Sequence, residues 1–144
     1  VTSYPSVMRR EGAQQAMQDA GILFSDKLYG LSNYDFESAY HAVNSLLARR
    51  ADFTALFAMS DVIALGAIRA LVSAGLRVPE DVQVMGYDGL RAFGDQDYYC
   101  STIVQPVEAM AETCVDLVLQ DSHANTPSLL CLPVRYAYGG TTKA

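Results

Sequence analysis

Polar side chains follow three short apolar segments of this chain. Ser60 and Asp61 come directly after the segment TALFAM, and Tyr87 and Asp88 come directly after VQVMG. Gln105 follows the segment TIV. In open parallel α/β sheets, ligands bind beyond the carboxyl ends of the strands. If the three segments are strands of one such sheet, these hydroxyl, carboxylate and amide groups predict a site for a small polar ligand.

Structural roles compete with ligand binding for both acids. Asp61 stands at the start of a predicted helix, where an aspartate commonly caps the first turn at about 1 kcal/mol. The sequence therefore favours an N-cap at Asp61. Asp88 lies on a Tyr-Asp-Gly turn, and an aspartate can also serve there as a turn former.

The sequence contains none of the patterns that indicate catalysis or cofactor binding. The motifs GxSxG, GxxxxGK[ST] and GxGxxG are absent, so a nucleophile elbow, a phosphate loop and a dinucleotide loop are unsupported. Cys100 has no histidine near it in sequence, and both His41 and His123 are isolated. No CxxC or HxxxH spacing suggests zinc. We therefore expect a binding module and not an enzyme, with no cofactor and no metal.

The composition of the chain limits the kinds of partner that it is expected to bind. The chain carries 16 acidic residues against 10 Lys and Arg residues, for a formal net charge of -6. An acidic surface repels phosphate backbones, so we expect that this chain alone does not bind DNA. The cysteines number 3, are widely spaced and therefore suit a reducing cytosol better than a disulfide framework. No apolar run approaches the roughly 20 residues of a membrane helix, so no membrane partner is expected.

Hydrophobic periodicity predicts an α/β fold with a parallel sheet flanked by helices. Ser6 is the expected N-cap of the first helix, Gly21 and Gly75 are expected stop signals, and Pro106 suits a first helical turn. The predicted helices cover residues 6–20, 35–50, 61–74 and 106–120. The predicted strands cover residues 28–31, 54–59, 82–86 and 102–105. We expect loops at residues 87–101 and 121–128 and an extended segment at residues 129–138.

These segments resemble, in order, the lactose-repressor family of bacterial transcriptional regulators. The most characteristic stretch is ALFAMSDVIALGAIRALVSAGLRVPEDVQVMGYDGL, residues 55–90. The family's R-x-x-G pattern is matched at Arg9 to Gly12, and TIVQP and LPVRYAYGGTT resemble its later motifs. The resemblance extends over nearly the whole chain.

The resemblance implies the architecture of a type I periplasmic-binding-protein-like effector domain, mainly its C-terminal subdomain. Residues 1–104 and about 134–144 would belong to that subdomain, and about 106–132 to the N-terminal subdomain. The DNA-binding headpiece, most of the N-terminal subdomain and the strand expected before Ser6 would lie outside this chain. We therefore expect that the chain does not form an independently stable monomer.

The resemblance also implies a function. Family members are cytoplasmic homodimeric repressors that bind operator DNA through the headpiece and sense a small-molecule effector, a sugar or in some members a purine. Dimerisation would use the predicted helix containing Ala64, Leu65 and Ile68, together with the loop near Gln96. A periplasmic sugar-binding protein of a transport system is the alternative, although the segment from Arg77 to Val82 favours the regulator.

Residue by residue, the resemblance assigns an effector site. Arg9 matches the family's effector-binding arginine, Tyr34 an aromatic wall of the pocket, and Asp88 the acid that binds ligand hydroxyls. Gln105 lies on a strand that crosses between subdomains. Ser60 and Asp61 complete the expected site, with Ser60 replacing the asparagine that many members carry. A second departure is Tyr98-Tyr99-Cys100, where many members have proline and leucine.

Overall fold

The computed structural model describes residues 3–49, 52–91, 97–119 and 129–143. All four predicted helices form, and each of the last two lies between two strands in the chain order. The elements in chain order are α1 (Tyr4–Asp19), a short 3-10 turn (Asp26–Leu28), α2 (Phe36–Ala48), β1 (Ala55–Phe57), α3 (Asp61–Ser73), β2 (Gln83–Asp88), β3 (Ser101–Val104), α4 (Val107–Leu119) and β4 (Arg135–Ala137).

The described strands form one sheet in the order β1-β2-β3-β4. β1 and β2 pair in parallel, as do β2 and β3, with Gly86 opposite Thr102 and Asp88 opposite Val104. This confirms the predicted parallel α/β fold. β4, within the segment expected to be extended, pairs antiparallel to β3.

The core lies between the sheet, α3 and α2. Val82 and Val84 point from the β2 region into a buried cluster that contains Ala67 and Leu71 of α3 and Val43 of α2. Helices α2 and α3 approach closely because position 66 is glycine. A Cβ atom there would collide with the Phe36 carbonyl oxygen and lie 2.8 Å from the Ala39 Cβ.

The structure differs from the sequence-based expectations at two helix starts. Helix α1 begins at Tyr4 with Ser3 as its N-cap, not Ser6, because proline is well accommodated in a first turn that needs no amide donor. Helix α3 is capped by Ser60, whose hydroxyl accepts a hydrogen bond from the Ile63 amide. The expected N-cap at Asp61 is therefore wrong.

Two other expectations also need correction. The predicted strand at residues 28–31 does not form, since residues Asp26–Leu28 make a 3-10 turn and the chain then runs on without strand pairing. Ala64, expected at the dimer surface, is fully buried in the core, whereas Leu65 and Ile68 are partly buried. Gln96 and the predicted loop at 121–128 lie outside the described residues.

Helices α1 and α4 contain no buried residue. The assignment of residues about 106–132 to a second subdomain remains a prediction. Within the described part of the chain, no helix is long and apolar enough to cross a membrane.

Candidate ligand-binding site

Asp88 and Gln105 meet at the carboxyl edge of the sheet. Asp88 is the last residue of β2, and Gln105 follows directly after β3. Because the two strands are parallel neighbours, their carboxyl ends emerge side by side. The Gln105 side-chain amide donates a hydrogen bond of 2.7 Å to Asp88 Oδ1, and the Gln105 backbone amide donates to the Asp88 carbonyl oxygen at 3.4 Å.

Arg9 reaches the same carboxylate from α1. Its Nη2 lies 3.3 Å from Asp88 Oδ1, and its Nη1 donates to the carbonyl oxygen of Met59, just after β1. The guanidinium also lies over the Tyr87 ring, with its central carbon 3.9 Å from the ring centre. Only 16% of the Arg9 side chain is exposed, against 42% of the Asp88 side chain. Contacts from β2 and from the segment after β1 therefore hold the guanidinium, while the carboxylate faces partly toward solvent.

Burial has the largest effect on the pKa of Asp88. It raises the pKa of this carboxyl above its ordinary value, and the nearby Asp61 carboxylate acts in the same direction. The hydrogen bond from Gln105 and the positive charge of Arg9 lower the pKa, but together they do not offset the burial. The site thus holds a partly desolvated carboxylate against a fixed cation.

Tyr34 lies in an adjoining groove. Its hydroxyl forms a hydrogen bond of 2.9 Å with the Ser6 hydroxyl, one turn before Arg9 on α1. Tyr34 is 40% exposed and has a φ of 60°. Tyr34 and Met59 both line this groove. The structure therefore places Tyr34 against α1, one turn before Arg9, and describes no contact between Tyr34 and Asp88.

Ser60 and Asp61 are buried and serve the fold. Ser60 caps α3, and Asp61, at 1% exposure, accepts hydrogen bonds on both carboxylate oxygens from protein donors. Contact of either residue with an effector remains a prediction, and this geometry favours structural roles for both.

Sequence reasoning named Tyr87 at the strand end but did not predict its stacking under Arg9. In a regular strand, neighbouring side chains point to opposite faces, so Tyr87 and Asp88 are not expected to contact one side chain together. The φ of 118° at Asp88 takes this residue out of the regular alternation. No signal in the sequence identifies the Met59 carbonyl as a partner of Arg9.

Cys100 is buried beside this site. Burial, together with the Asp61 carboxylate, raises the pKa of its thiol to about 12, so the thiol stays protonated at neutral pH. Among the described residues, no group of three or more histidine, cysteine and acidic side chains is arranged to hold a metal ion.

Residues 1–142 match the model of the periplasmic binding protein-like domain family. The transcriptional regulator MalR of Clostridium butyricum is 41% identical over 113 residues, which cover 76% of this chain and 33% of the relative. A solved complex of the transcriptional regulator CelR with cellobiose is 30% identical, with a TM-score of 0.81, covering 94% of this chain and 42% of that one. The lac repressor dimer bound to operator and an anti-inducer is 27% identical, with a TM-score of 0.83, covering 99% of this chain and 49% of that one.

The chain belongs to the periplasmic-binding-protein-like domain family, and within it to the effector-binding domains of lactose-repressor-type transcriptional regulators. It spans about a third of the length of the curated relatives it matches. Those relatives are regulators, which supports a regulatory domain over a periplasmic transport protein.

Proposed function

We propose that this chain is the effector-binding part of a cytoplasmic, homodimeric DNA-binding repressor, that it is not an enzyme, and that it senses a small polyhydroxylated ligand, a sugar. The observation that carries the proposal is the convergence of Arg9, Asp88 and Gln105 at the carboxyl edge of the sheet.

The chemistry of the three side chains suits a sugar. A guanidinium donates to hydroxyl oxygens, a carboxylate accepts from hydroxyl hydrogens, and both kinds of bond are charge-assisted. Two neighbouring hydroxyls of one sugar can therefore be bound at two points. Tyr34, exposed in the adjoining groove, supplies an aromatic face of the kind that packs on the apolar face of a sugar ring.

The competing interpretation is that Arg9 and Asp88 form only a mutual ion pair, worth less than about 1 kcal/mol if it is exposed. Two observations favour a ligand. The Arg9 guanidinium is fixed by contacts besides Asp88, namely Tyr87 and the Met59 carbonyl. Among the described residues, the hydrogen bonds to the Asp88 carboxylate both fall on Oδ1.

A thermal-shift screen of the intact protein tests this function. The panel contains monosaccharides, disaccharides including cellobiose, and the purine bases adenine and guanine. A ligand that binds only the folded state raises the melting temperature, by an amount that corresponds to about 2.7 kcal/mol at a concentration one hundred times its Kd. We expect a sugar to give the largest shift.

Two variants make the screen specific. Asp88→Asn should abolish the shift, whereas Asp81→Asn should keep it, because Asp81 pairs with Arg77 in the turn before β2 and lies outside the cluster. A purine that stabilises the protein while no sugar does would overturn the sugar assignment. A sugar-induced rise in melting temperature that persists in Asp88→Asn would show that Arg9, Asp88 and Gln105 do not form the binding site.

A further inference from the structure

Asp61 binds the loop that follows β2, although it belongs to the first turn of α3. Its Oδ2 accepts hydrogen bonds from the backbone amides of Gly89, at 2.8 Å, and Leu90. Its Oδ1 accepts a hydrogen bond of 2.6 Å from the Thr102 hydroxyl and a weaker one from the Cys100 thiol, at 3.6 Å. A buried carboxylate is costly unless it is hydrogen bonded, and here donors satisfy both oxygens.

The loop that Asp61 binds has an unfavourable backbone conformation. Asp88 has a φ of 118° and Gly89 a φ of 87°. Glycine tolerates positive φ, but an aspartate at 118° is strained and keeps this conformation only where its surroundings enforce it. The two amides bound by Asp61 come directly after the strained residue, so the carboxylate fixes the chain at the point where the strain lies.

The sheet provides the space for this carboxylate. A Cβ atom on Gly86 would collide with Asp61 Oδ1 and lie 2.9 Å from Cys100 Sγ. Gly86 is paired in register with Thr102, the residue that donates to the same oxygen. The glycine on β2 and the hydroxyl on β3 thus form a socket for one side chain of α3.

We propose that Asp61 is a positioning residue for the ligand-binding site. By holding the Gly89 and Leu90 amides, it keeps Asp88 in the conformation that directs its carboxylate to Arg9 and Gln105, without itself touching the ligand. The statement that Asp88 binds a ligand rests on the proposed function. The statement that Asp61 holds Asp88 in place does not depend on any ligand.

A ligand-free experiment tests it in the intact protein. Hydrogen–deuterium exchange is measured at the Gly89 and Leu90 amides in Asp61→Asn and Asp61→Ala. A neutral amide can still accept these bonds but more weakly than a carboxylate, so Asp61→Asn should speed exchange about tenfold and Asp61→Ala more. The Ala58 amide, which donates to the Met85 carbonyl between β1 and β2, should keep its protection because it reports on the sheet.

The second readout is the reactivity of Arg9 with phenylglyoxal, followed by mass spectrometry. If Asp61 positions Asp88, both Asp61 variants should make Arg9 react faster, and Asp88→Asn should have the same effect. The adjacent Arg10, which stacks on Tyr29 with its guanidinium carbon 4.5 Å from the ring centre, should react at its original rate. A general loss of structure would raise the reactivity of both arginines.

Asp81→Asn is the matched control. The Asp81 carboxylate also accepts a hydrogen bond from a backbone amide, that of Arg77, but it lies outside the site, so Gly89, Leu90 and Arg9 should behave as in the unmodified protein. If Asp61→Ala does not fold, Asp61→Asn decides. Unchanged loop exchange, or unchanged Arg9 reactivity, in a folded Asp61→Asn protein would overturn the proposal and leave the proposed function standing.

Discussion

The Arg9 guanidinium lies over the Tyr87 ring, with its central carbon 3.9 Å from the ring centre. Cation–π contacts of this kind contribute about 0.5–1 kcal/mol at exposed sites and about 2 kcal/mol or more when desolvated. The stack joins α1 to β2, two elements that are far apart in sequence. Nη1 and Nη2 of the same guanidinium donate to different acceptors, the Met59 carbonyl oxygen and Asp88 Oδ1.

Arg9→Ala and Asp88→Ala should each weaken effector binding at least about tenfold, because the loss of one charge-assisted bond exceeds the 1.4 kcal/mol that a tenfold change requires. Folding should be nearly unchanged in Asp88→Ala, whereas Arg9→Ala also removes the contact with the Tyr87 ring and should lower the stability by up to about 2 kcal/mol. Calorimetry in the intact protein measures the affinity, and Arg77→Ala serves as a control, since Arg77 is exposed and pairs only with Asp81 among the described acids. Undiminished affinity in either variant would show that its residue lies outside the site.

As the pH is lowered, effector affinity should begin to fall at a higher pH than it would if Asp88 titrated like an ordinary aspartate. The carboxylate must be ionised to accept from hydroxyls, and burial raises the pKa of Asp88 above the ordinary value of 3.8. Calorimetric titrations at several values between pH 7 and pH 4 measure this, and Asp81→Asn, which retains Asp88, should show the same pH dependence. An affinity that stays constant over this whole range would contradict the expectation.

The same pKa shift has a consequence for stability. A carboxyl whose pKa is raised on folding binds more protons in the folded state, so its contribution to the unfolding free energy falls as the pH rises through that pKa. At neutral pH, Asp88→Asn should therefore not destabilise the protein through loss of the charge. Urea unfolding at pH 7 measures this. A marked drop in stability would show that the bonds to Arg9 and Gln105 outweigh the burial.

Cys100 should resist alkylation by iodoacetamide at pH 8, since it is buried and the pKa of its thiol is raised to about 12. Cys114 is exposed in this chain and should react faster. Peptide mass spectrometry before and after denaturation distinguishes the two. Rapid labelling of Cys100 in the folded protein would show that the socket around Asp61 opens readily.

Gly66→Ala should destabilise the protein by about 1–3 kcal/mol, because overpacking would push α3 away from α2. Gly12→Ala on α1 is the matched control, since a Cβ atom there meets nothing within 4 Å. At that position alanine should stabilise the helix by up to about 1 kcal/mol. Equal effects of the two substitutions in urea unfolding would argue against the close approach.

Leu65→Glu should reduce dimerisation if α3 forms part of a dimer surface, as we propose from the family. Analytical ultracentrifugation of the intact protein provides the measurement. Ala64 is unsuitable for this test because it is fully buried in the core. A folded dimer after Leu65→Glu would place the interface elsewhere.

The alternation of apolar segments and helical periodicity was sufficient to predict the fold. Local capping was less predictable because both Ser60 and Asp61 are good N-cap residues, and only the tertiary structure shows that Asp61 is needed elsewhere. The strand expected at residues 28–31 failed for a different reason. A strand requires a hydrogen-bonded neighbour, and none of the four described strands pairs with this segment.

The candidate site was predicted in part. Parallel strands bring Asp88 and Gln105 to one edge as a matter of topology, so sequence order was enough to group them. The convergence of Arg9 on Asp88 was expected from the family and from the position of α1. The positive φ at Asp88 and the stacking on Tyr87 depend on backbone geometry that residue types alone do not specify.

The late position of β4 in the chain has a consequence for the order of folding. β1, β2 and β3 follow one another in sequence, whereas β4 pairs with β3 only after residues 105 to 134 have been looped out. Contacts of greater sequence separation form more slowly, because loop closure costs entropy before pairing compensates it. Val104 pairs with Arg135, whereas Arg9 and Asp88 are 79 positions apart in sequence. We therefore expect β3 and β4 to pair before Arg9 contacts Asp88, so that the binding cluster is completed last.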